Sequence, residues 1–151
     1  MKIYLAGPLF TESQQDWIRG LKNDLESQAA SLGRPVNVVW PYDLITKSEI
    51  EALGDRATFE IFSRCKSHLD DTDTLISLLD GPQVDDGTAW ETGYFFARKR
   101  RGQTIIGIRT DFRRAGESEF ATVNAMIEVA CDLIVRSRQQ VLGAVLELLG
   151  G

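Results

Sequence analysis

Apolar residues in this chain fall into short unbroken runs, separated by longer stretches in which they recur every three or four positions. The two rhythms alternate along the sequence. The first run, Ile3-Tyr4-Leu5-Ala6, predicts a buried strand that stops at the turn Gly7-Pro8. Beyond Leu9 and Phe10, with Thr11 or Ser13 available as a cap, Trp17, Ile18, Leu21 and Leu25 stand at helical spacing and predict a helix closing near Leu32-Gly33. Val36 to Trp40 predicts a second strand and Pro41-Tyr42-Asp43 a turn. Thr46 to Leu53 predicts a short helix, and Arg56 to His68 a longer one with Phe59, Phe62 and Cys65 on one side.

Thr74 to Leu79 is the most continuous apolar run, bounded by Asp73 and by Asp80-Gly81-Pro82, as expected of a strand covered on both faces of a parallel sheet. The helix after it takes Asp85 or Asp86 as its cap. Trp90, Tyr94, Phe95 and Ala97 form its apolar side, Arg98 to Arg101 meet the negative end of its dipole, and Gly102 ends it. Thr104 to Ile108 predicts a fourth strand, Arg109 to Val123 a polar loop, Cys131 to Val135 a short fifth strand, and Gln139 to Leu149 a closing amphipathic helix.

Strands alternating with helices call for a parallel sheet with right-handed crossovers and helices on both faces. The expected fold is α/β, a flavodoxin-like (Rossmann-like) three-layer sandwich with a five-stranded parallel sheet of order 2-1-3-4-5, one domain over residues 1–151. In that order strands one and three are neighbours. Gly7 to Phe10 then faces the Asp80 to Glu91 segment across the crevice where such sheets bind ligands.

Composition narrows the chemistry. The chain has 151 residues, 43% of them hydrophobic, enough for one substantial core, and a net charge of −5 that argues against nucleic acid as a partner. Cys65 and Cys131 form no Cys-x-x-Cys pair, and His68 is the only histidine, so neither a zinc site nor any other metal site is expected. His68 itself reads as a helix-end cation. No run approaches the ~20 apolar residues of a membrane span, and the start is too short in apolar residues for a signal peptide, so a cytoplasmic protein away from membranes is expected. Neither a Gly-x-Gly-x-x-Gly nor a Gly-x-x-x-x-Gly-Lys-Ser/Thr fingerprint is present, so no nucleotide cofactor is expected.

What the crevice does contain is carboxylate. Asp85, Asp86 and Glu91 sit at the exit of the central strand and about one helical turn into the next helix. A pair of carboxylates flanking a sugar is the equipment of glycosidic-bond chemistry, one as nucleophile and one handling the proton. Spacing alone leaves this role and plain helix capping equally open.

Three segments together resemble the nucleoside 2-deoxyribosyltransferase family: Ile3-Tyr4-Leu5-Ala6-Gly7-Pro8-Leu9-Phe10, then Asp73 with Asp85-x-Gly87-Thr88-Ala89-x-Glu91-x-Gly93, and Asn124-Ala125-Met126. The resemblance implies Glu91 as the nucleophile on the anomeric carbon, Asp73 as the acid and base group with Asp71 close by, and Asp85 as a carboxylate that binds the sugar hydroxyls and assists proton transfer. It also implies Tyr4 as the partner that orients Glu91, Phe10 as an aromatic packed on the base, and Gly7, Gly87 and Met126 as part of the substrate site. Asn124 is implied to reach the sugar of a neighbouring subunit, which makes a homo-oligomer the expected assembly. The implied substrates are deoxynucleosides and free nucleobases, exchanged by a retaining, ping-pong route through a covalent deoxyribosyl-glutamate. N-glycosidases that release the base of a nucleoside or its 5′-monophosphate to water resemble the same segments, and Arg109, Arg113 and Arg114 are their conceivable phosphate ligands.

Overall fold

The computed structural model describes residues 1–150, so the last residue of the expected domain, Gly151, lies outside the described residues. Five strands, β1 (Lys2–Ala6), β2 (Asn37–Val39), β3 (Thr74–Leu78), β4 (Thr104–Ile108) and β5 (Leu133–Val135), pair in parallel in the order β2-β1-β3-β4-β5. Register is continuous across the centre: Tyr4 lies opposite Leu75, which lies opposite Ile105. Six helices connect or follow the strands, α1 (Glu12–Ser31), α2 (Lys47–Leu53), α3 (Ala57–Asp70), α4 (Asp86–Arg98), α5 (Ala125–Ala130) and α6 (Arg138–Gly150). The α5 helix is additional to the expected elements, and α4 stops at Arg98, the first residue of the predicted basic run, with Lys99 as its C-terminal cap.

Alternation along β1 sorts the two faces. Ile3 and Leu5 point to the α1 and α6 side, where Ile18, Leu21, Leu25, Val141 and Val145 cover them. Tyr4 and Ala6 point the other way, into a layer shared with Leu69 of α3 and Phe95 of α4. Tyr4 is therefore a core residue by position, and its side chain belongs to the α3 and α4 side.

The α4 helix is fastened to the sheet by polar contacts as well as packing. Thr92 Oγ1 donates to the Thr88 carbonyl at 2.7 Å, which commits its only proton, so the 2.8 Å contact between Ser77 and Thr92 is a hydrogen bond donated by Ser77 of β3. All three residues are buried. The predicted apolar side of α3 behaves differently from expectation, since Phe59 and Phe62 are exposed and only Ala57 and Leu69 are buried. Trp90 is also exposed, edge-on to Phe62 and stacked on Tyr94, so α4 buries Thr88, Thr92 and Phe95 in its place.

No described helix is long and apolar enough to cross a membrane.

Candidate active site

On α4, Thr88, Thr92 and Phe95 form the stripe that faces the sheet, at i, i+4 and i+7. Glu91, at i+3, falls in that stripe. A glutamate in an apolar helix position must find a partner, and this one does: the Tyr4 hydroxyl donates to Glu91 Oε1 at 2.5 Å. The strand brings the donor and the helix brings the acceptor, 87 residues apart in sequence.

Burial dominates the electrostatics. Loss of solvent raises the Glu91 carboxyl to a pKa of about 7; the negative charge of Asp85 pushes the same way, and the Tyr4 hydrogen bond opposes both. Tyr4 is driven far above the ordinary phenol range by burial first and then by Glu91, so it stays a neutral donor. The site therefore holds a carboxylate poised to change charge near neutral pH.

Asp85 is the N-cap of α4. Its Oδ2 accepts from the Thr88 amide and from Thr88 Oγ1, both at 2.9 Å, which settles the capping alternative in favour of Asp85 over Asp86. The cap engages one carboxylate oxygen, and the charge of the group is close enough to act on Glu91. Gly87 keeps that cap uncrowded, since a Cβ there would stand 3.3 Å from Asp85 Oδ2.

Asp73 is elsewhere. It precedes β3 at the amino edge of the sheet, exposed, with Oδ2 accepting the Lys2 amide at 2.7 Å and its backbone extending the β1 and β4 ladders. The full length of β3 separates it from the carboxyl edge where Glu91 and Asp85 meet. The expectation that Asp73 serves as acid and base beside Glu91 is thus corrected, and Asp71, at the same edge near Lys2, does not replace it. The error has a simple cause: an acid flanking a strand faces the crevice only when it lies at the carboxyl end. His68 stands in the last turn of α3 as expected of a helix-end residue, although burial pushes its pKa down and its buried Nδ1 has no partner among the described residues.

Gly7 is buried, and a Cβ there would meet Ile18 Cδ1 at 2.8 Å, so its smallness lets the β1 exit loop lie against α1. Phe10 is exposed at the start of that helix, next to the capping box of Thr11 and Gln14. Beyond Leu9 lies a hollow of about 680 Å³, walled by Pro41, Tyr42, Asp43, Ile45, Ile61 and Cys65 among others. Cys65 on α3 is part of that wall, and burial raises the pKa of its thiol. Sequence reasoning assigned Cys65 only to packing. Its spacing of four from the buried Leu69 is the signal that puts it on the face of α3 turned toward Tyr4.

Asn124 and Met126 are not brought to Glu91 within the chain. Asn124 caps α5, accepting from the Met126 amide at 3.0 Å and donating to Glu117. Met126 is 82% exposed beside an apolar hollow of about 420 Å³ between α4 and α5, lined by Ala89, Gly93, Phe96 and Val129 among others.

The Arg109 to Val123 loop is tied to the β3 exit. Arg109 is fully buried, its guanidinium donating to the carbonyls of Leu79, Gly81 and Arg113. Asp80 accepts the amides of Thr110 and Asp111, and Arg113 pairs with Asp111, holding that carboxyl well below its usual range. The third arginine named as a phosphate ligand, Arg114, donates to the Glu119 carbonyl, so all three have partners within the chain. Among the described residues no group of three or more His, Cys, Asp or Glu is arranged to hold a metal ion.

Fold and site together define a flavodoxin-like α/β domain with a half-buried, tyrosine-bound glutamate at its switch point. Residues 3–126 match the family model described as nucleoside 2-deoxyribosyltransferase, and the chain belongs to that family of pentosyl-transferring enzymes. An uncharacterized protein of Ureaplasma parvum serovar 3 is 31% identical over 124 residues, covering 75% of this chain and 72% of that one. Among solved structures, a conserved protein from Enterococcus faecalis V583 superposes with a TM-score of 0.73 at 21% identity, covering 97% of this chain and 98% of the other. The 2-deoxyribosyltransferase of Bacillus psychrosaccharolyticus gives 0.69 at 22% identity over 94% of this chain and 90% of that one. A 2-desoxiribosyltransferase from Leishmania mexicana gives 0.70 at 21% over 97% of each. These structures share the five-stranded order and the helices on both faces.

Proposed function

We propose that the protein moves 2-deoxyribose from one nucleobase to another by two successive inversions through a deoxyribosyl ester of Glu91. The observation that carries this reading is the Tyr4–Glu91 pair: a half-buried carboxylate, oriented by one short hydrogen bond at the β1/β3 switch point, with a hollow of about 680 Å³ whose wall includes Leu9, just past the end of β1. In the first step a Glu91 oxygen bonds to the anomeric carbon, the bond from that carbon to the base nitrogen breaks, and the pair stays on the base, which takes a proton relayed from solvent by the Asp85 carboxylate. In the second step an incoming base gives its proton to Asp85 and displaces Glu91, so the configuration at the sugar is retained. Asp85 takes the proton-handling role because it is the second carboxyl at this edge and Asp73 is not.

The base occupies the hollow beyond Leu9, with Phe10 closing over it and Gly7 and Gly87 leaving the sugar room. A site of this kind favours transfer over hydrolysis by keeping water from the ester. Arg109 inside the loop and Arg113 on Asp111 favour a nucleoside over a 5′-monophosphate, which supports the transferase reading over the N-glycosidase one. The exposed apolar wall of Met126, Val129 and Phe96 favours burial against a second copy of the chain, which would carry Asn124 to a neighbouring site.

The test is incubation of a deoxynucleoside with a second free base. Exchanged nucleoside is expected, with no exchange after Glu91→Ala; release of free base alone, equally fast with or without an acceptor, would replace this reading with hydrolysis.

A further inference from the structure

The hollow beyond Leu9 is walled mostly by apolar side chains, and among the described residues on that wall Asp43 is the one acid and Lys47 the one cation. Asp43 ends the short helical turn Pro41–Asp43 and is held from several sides. Its amide donates to the Trp40 carbonyl at 2.9 Å, Tyr42 beside it stacks on the buried Trp40 ring with centroids 4.7 Å apart, and its Oδ2 pairs with Lys22 Nζ of α1 at 2.7 Å. Its Oδ1 has no partner among the described residues. Other polar groups of this turn are engaged or indifferent. The carbonyls of Trp40, Pro41 and Leu44 accept the Asp43 amide, the Leu44 amide and the Arg64 guanidinium, and the Thr46 hydroxyl donates to Glu49. The Tyr42 hydroxyl can turn to a donor or an acceptor alike. Asp43 Oδ1 is thus a fixed acceptor on an apolar wall.

We propose that Asp43 selects the base: its free Oδ1 accepts from an exocyclic amino group, so the protein takes the amino-bearing bases adenine and cytosine in preference to their oxo counterparts hypoxanthine and uracil. The inference rests on the transfer reading, in which this hollow receives the base. With Oδ2 held by Lys22, the carboxylate offers one oxygen, which suits a single N–H donor. An oxo group at the same place would set a lone pair against a carboxylate. Turning the base does not relieve this, because the ring N–H of an oxo base is flanked by that same carbonyl oxygen. Lys47 does not reverse the preference, since a flexible ammonium serves a ring nitrogen or a carbonyl equally.

The experiment is direct competition between acceptors with the full chain, read as initial product ratios: adenine against hypoxanthine with 2′-deoxycytidine as donor, and cytosine against uracil with 2′-deoxyadenosine. The donor half of the reaction is common to each pair and cancels. The amino base is expected to win by about tenfold in both pairs. Asp43→Asn keeps an oxygen for Lys22 and turns an amide N–H toward the hollow, so it is expected to reverse both ratios. Asp43→Ser, whose hydroxyl donates or accepts, is expected to bring them to about one, and serves if the asparagine variant folds poorly. Equilibrium dialysis of the four free bases against Glu91→Ala reads the hollow without transfer, and there the amino bases are expected to bind more tightly, with the order reversed in Glu91→Ala/Asp43→Asn. An exchanging enzyme with equal or oxo-favouring ratios, or with ratios that Asp43→Asn leaves in place, sinks the role of Asp43 and leaves the transfer reading standing. If the wild type exchanges no base, the dialysis decides alone: an amino preference that depends on Asp43 sustains its role while the transfer reading falls, and equal binding or none ends both.

Discussion

Tyr4 and Glu91 are joined by a 2.5 Å hydrogen bond between the middle of the first strand and the sheet-facing stripe of the fourth helix. Each residue is expensive to bury alone. The phenol, fully buried, needs an acceptor, the half-buried carboxyl needs a donor, and each serves the other. The bond offsets only part of the cost of ionising Glu91, which is why its carboxyl titrates at about 7 instead of in the ordinary acid range.

The pH dependence of exchange follows from that balance. A nucleophile must be ionised, so kcat/KM is expected to rise with pH along a limb centred near 7 and to level off above it. Because the Tyr4 hydrogen bond lowers the Glu91 pKa, Tyr4→Phe is expected to move the limb up by about one unit and to cost about tenfold or more below it. Initial-rate profiles between pH 5 and pH 9 check both; a Tyr4→Phe limb at or below the wild-type position contradicts the account.

The same group should make the protein less stable at high pH. In the folded state the Glu91 pKa is raised from 4.5 to about 7, so between these values the native state binds more protons than the unfolded chain, and stability falls as pH rises through the window. Above pH 7 the wild type carries the whole penalty, and below about pH 4.5 none of it. Glu91→Gln keeps an oxygen for Tyr4 without the charge. It is expected to be more stable than wild type at pH 8, by about 1–3 kcal/mol, with the advantage gone at pH 4.5. Thermal or urea unfolding at the two pH values measures the difference.

Much of this arrangement was legible in the chain. Continuous apolar runs located all five strands, and their alternation with helices predicted the observed order, because burial on both faces of a parallel sheet leaves a simple pattern. Local rules also put a cap at Asp85 or Asp86, without choosing between them, and Glu91 about a turn into the helix. What local rules lack is the facing partner. Phe59 and Phe62 look like a core stripe by spacing, yet α3 turns Leu69 and Cys65 inward, since the shape of the α3 and α4 layer over Tyr4 decides which face fits. The buried role of Arg109 was illegible for the same reason: its partners are backbone carbonyls, which carry no sequence signature.

Asp73 and Asp85 separate two accounts of the proton. Asp73 is exposed at the amino edge with its carboxylate on the Lys2 amide, a bond that asparagine can also accept, so Asp73→Asn is expected to keep exchange within about twofold of wild type. Asp85→Asn keeps a cap oxygen for Thr88 and loses the ability to carry a proton. It is expected to lower kcat by about 100-fold or more with little change in stability. Steady-state exchange rates and melting temperatures of the two variants decide it, and a strong loss in Asp73→Asn would return the acid and base role to that residue.

Arg109 should matter to the loop and the fold before it matters to the chemistry. Its guanidinium is fully buried and satisfies three carbonyls, those of Leu79 and Gly81 at the β3 exit and that of Arg113 across the loop. Methionine fills a similar volume and satisfies none of them, so Arg109→Met is expected to lose about 2–4 kcal/mol, the cost of leaving buried carbonyls unpaired. Lysine has the charge without the planar fork and reaches fewer of the carbonyls at once, which places Arg109→Lys between the two. Because Glu91 is held by Tyr4 and by α4, which Ser77 and Thr92 fasten to the sheet independently of this loop, the acidic limb of exchange is expected to stay near 7 in both variants. Urea unfolding gives the stability difference and the pH profile gives the second half; a limb displaced in step with stability would mean that the loop also holds the nucleophile.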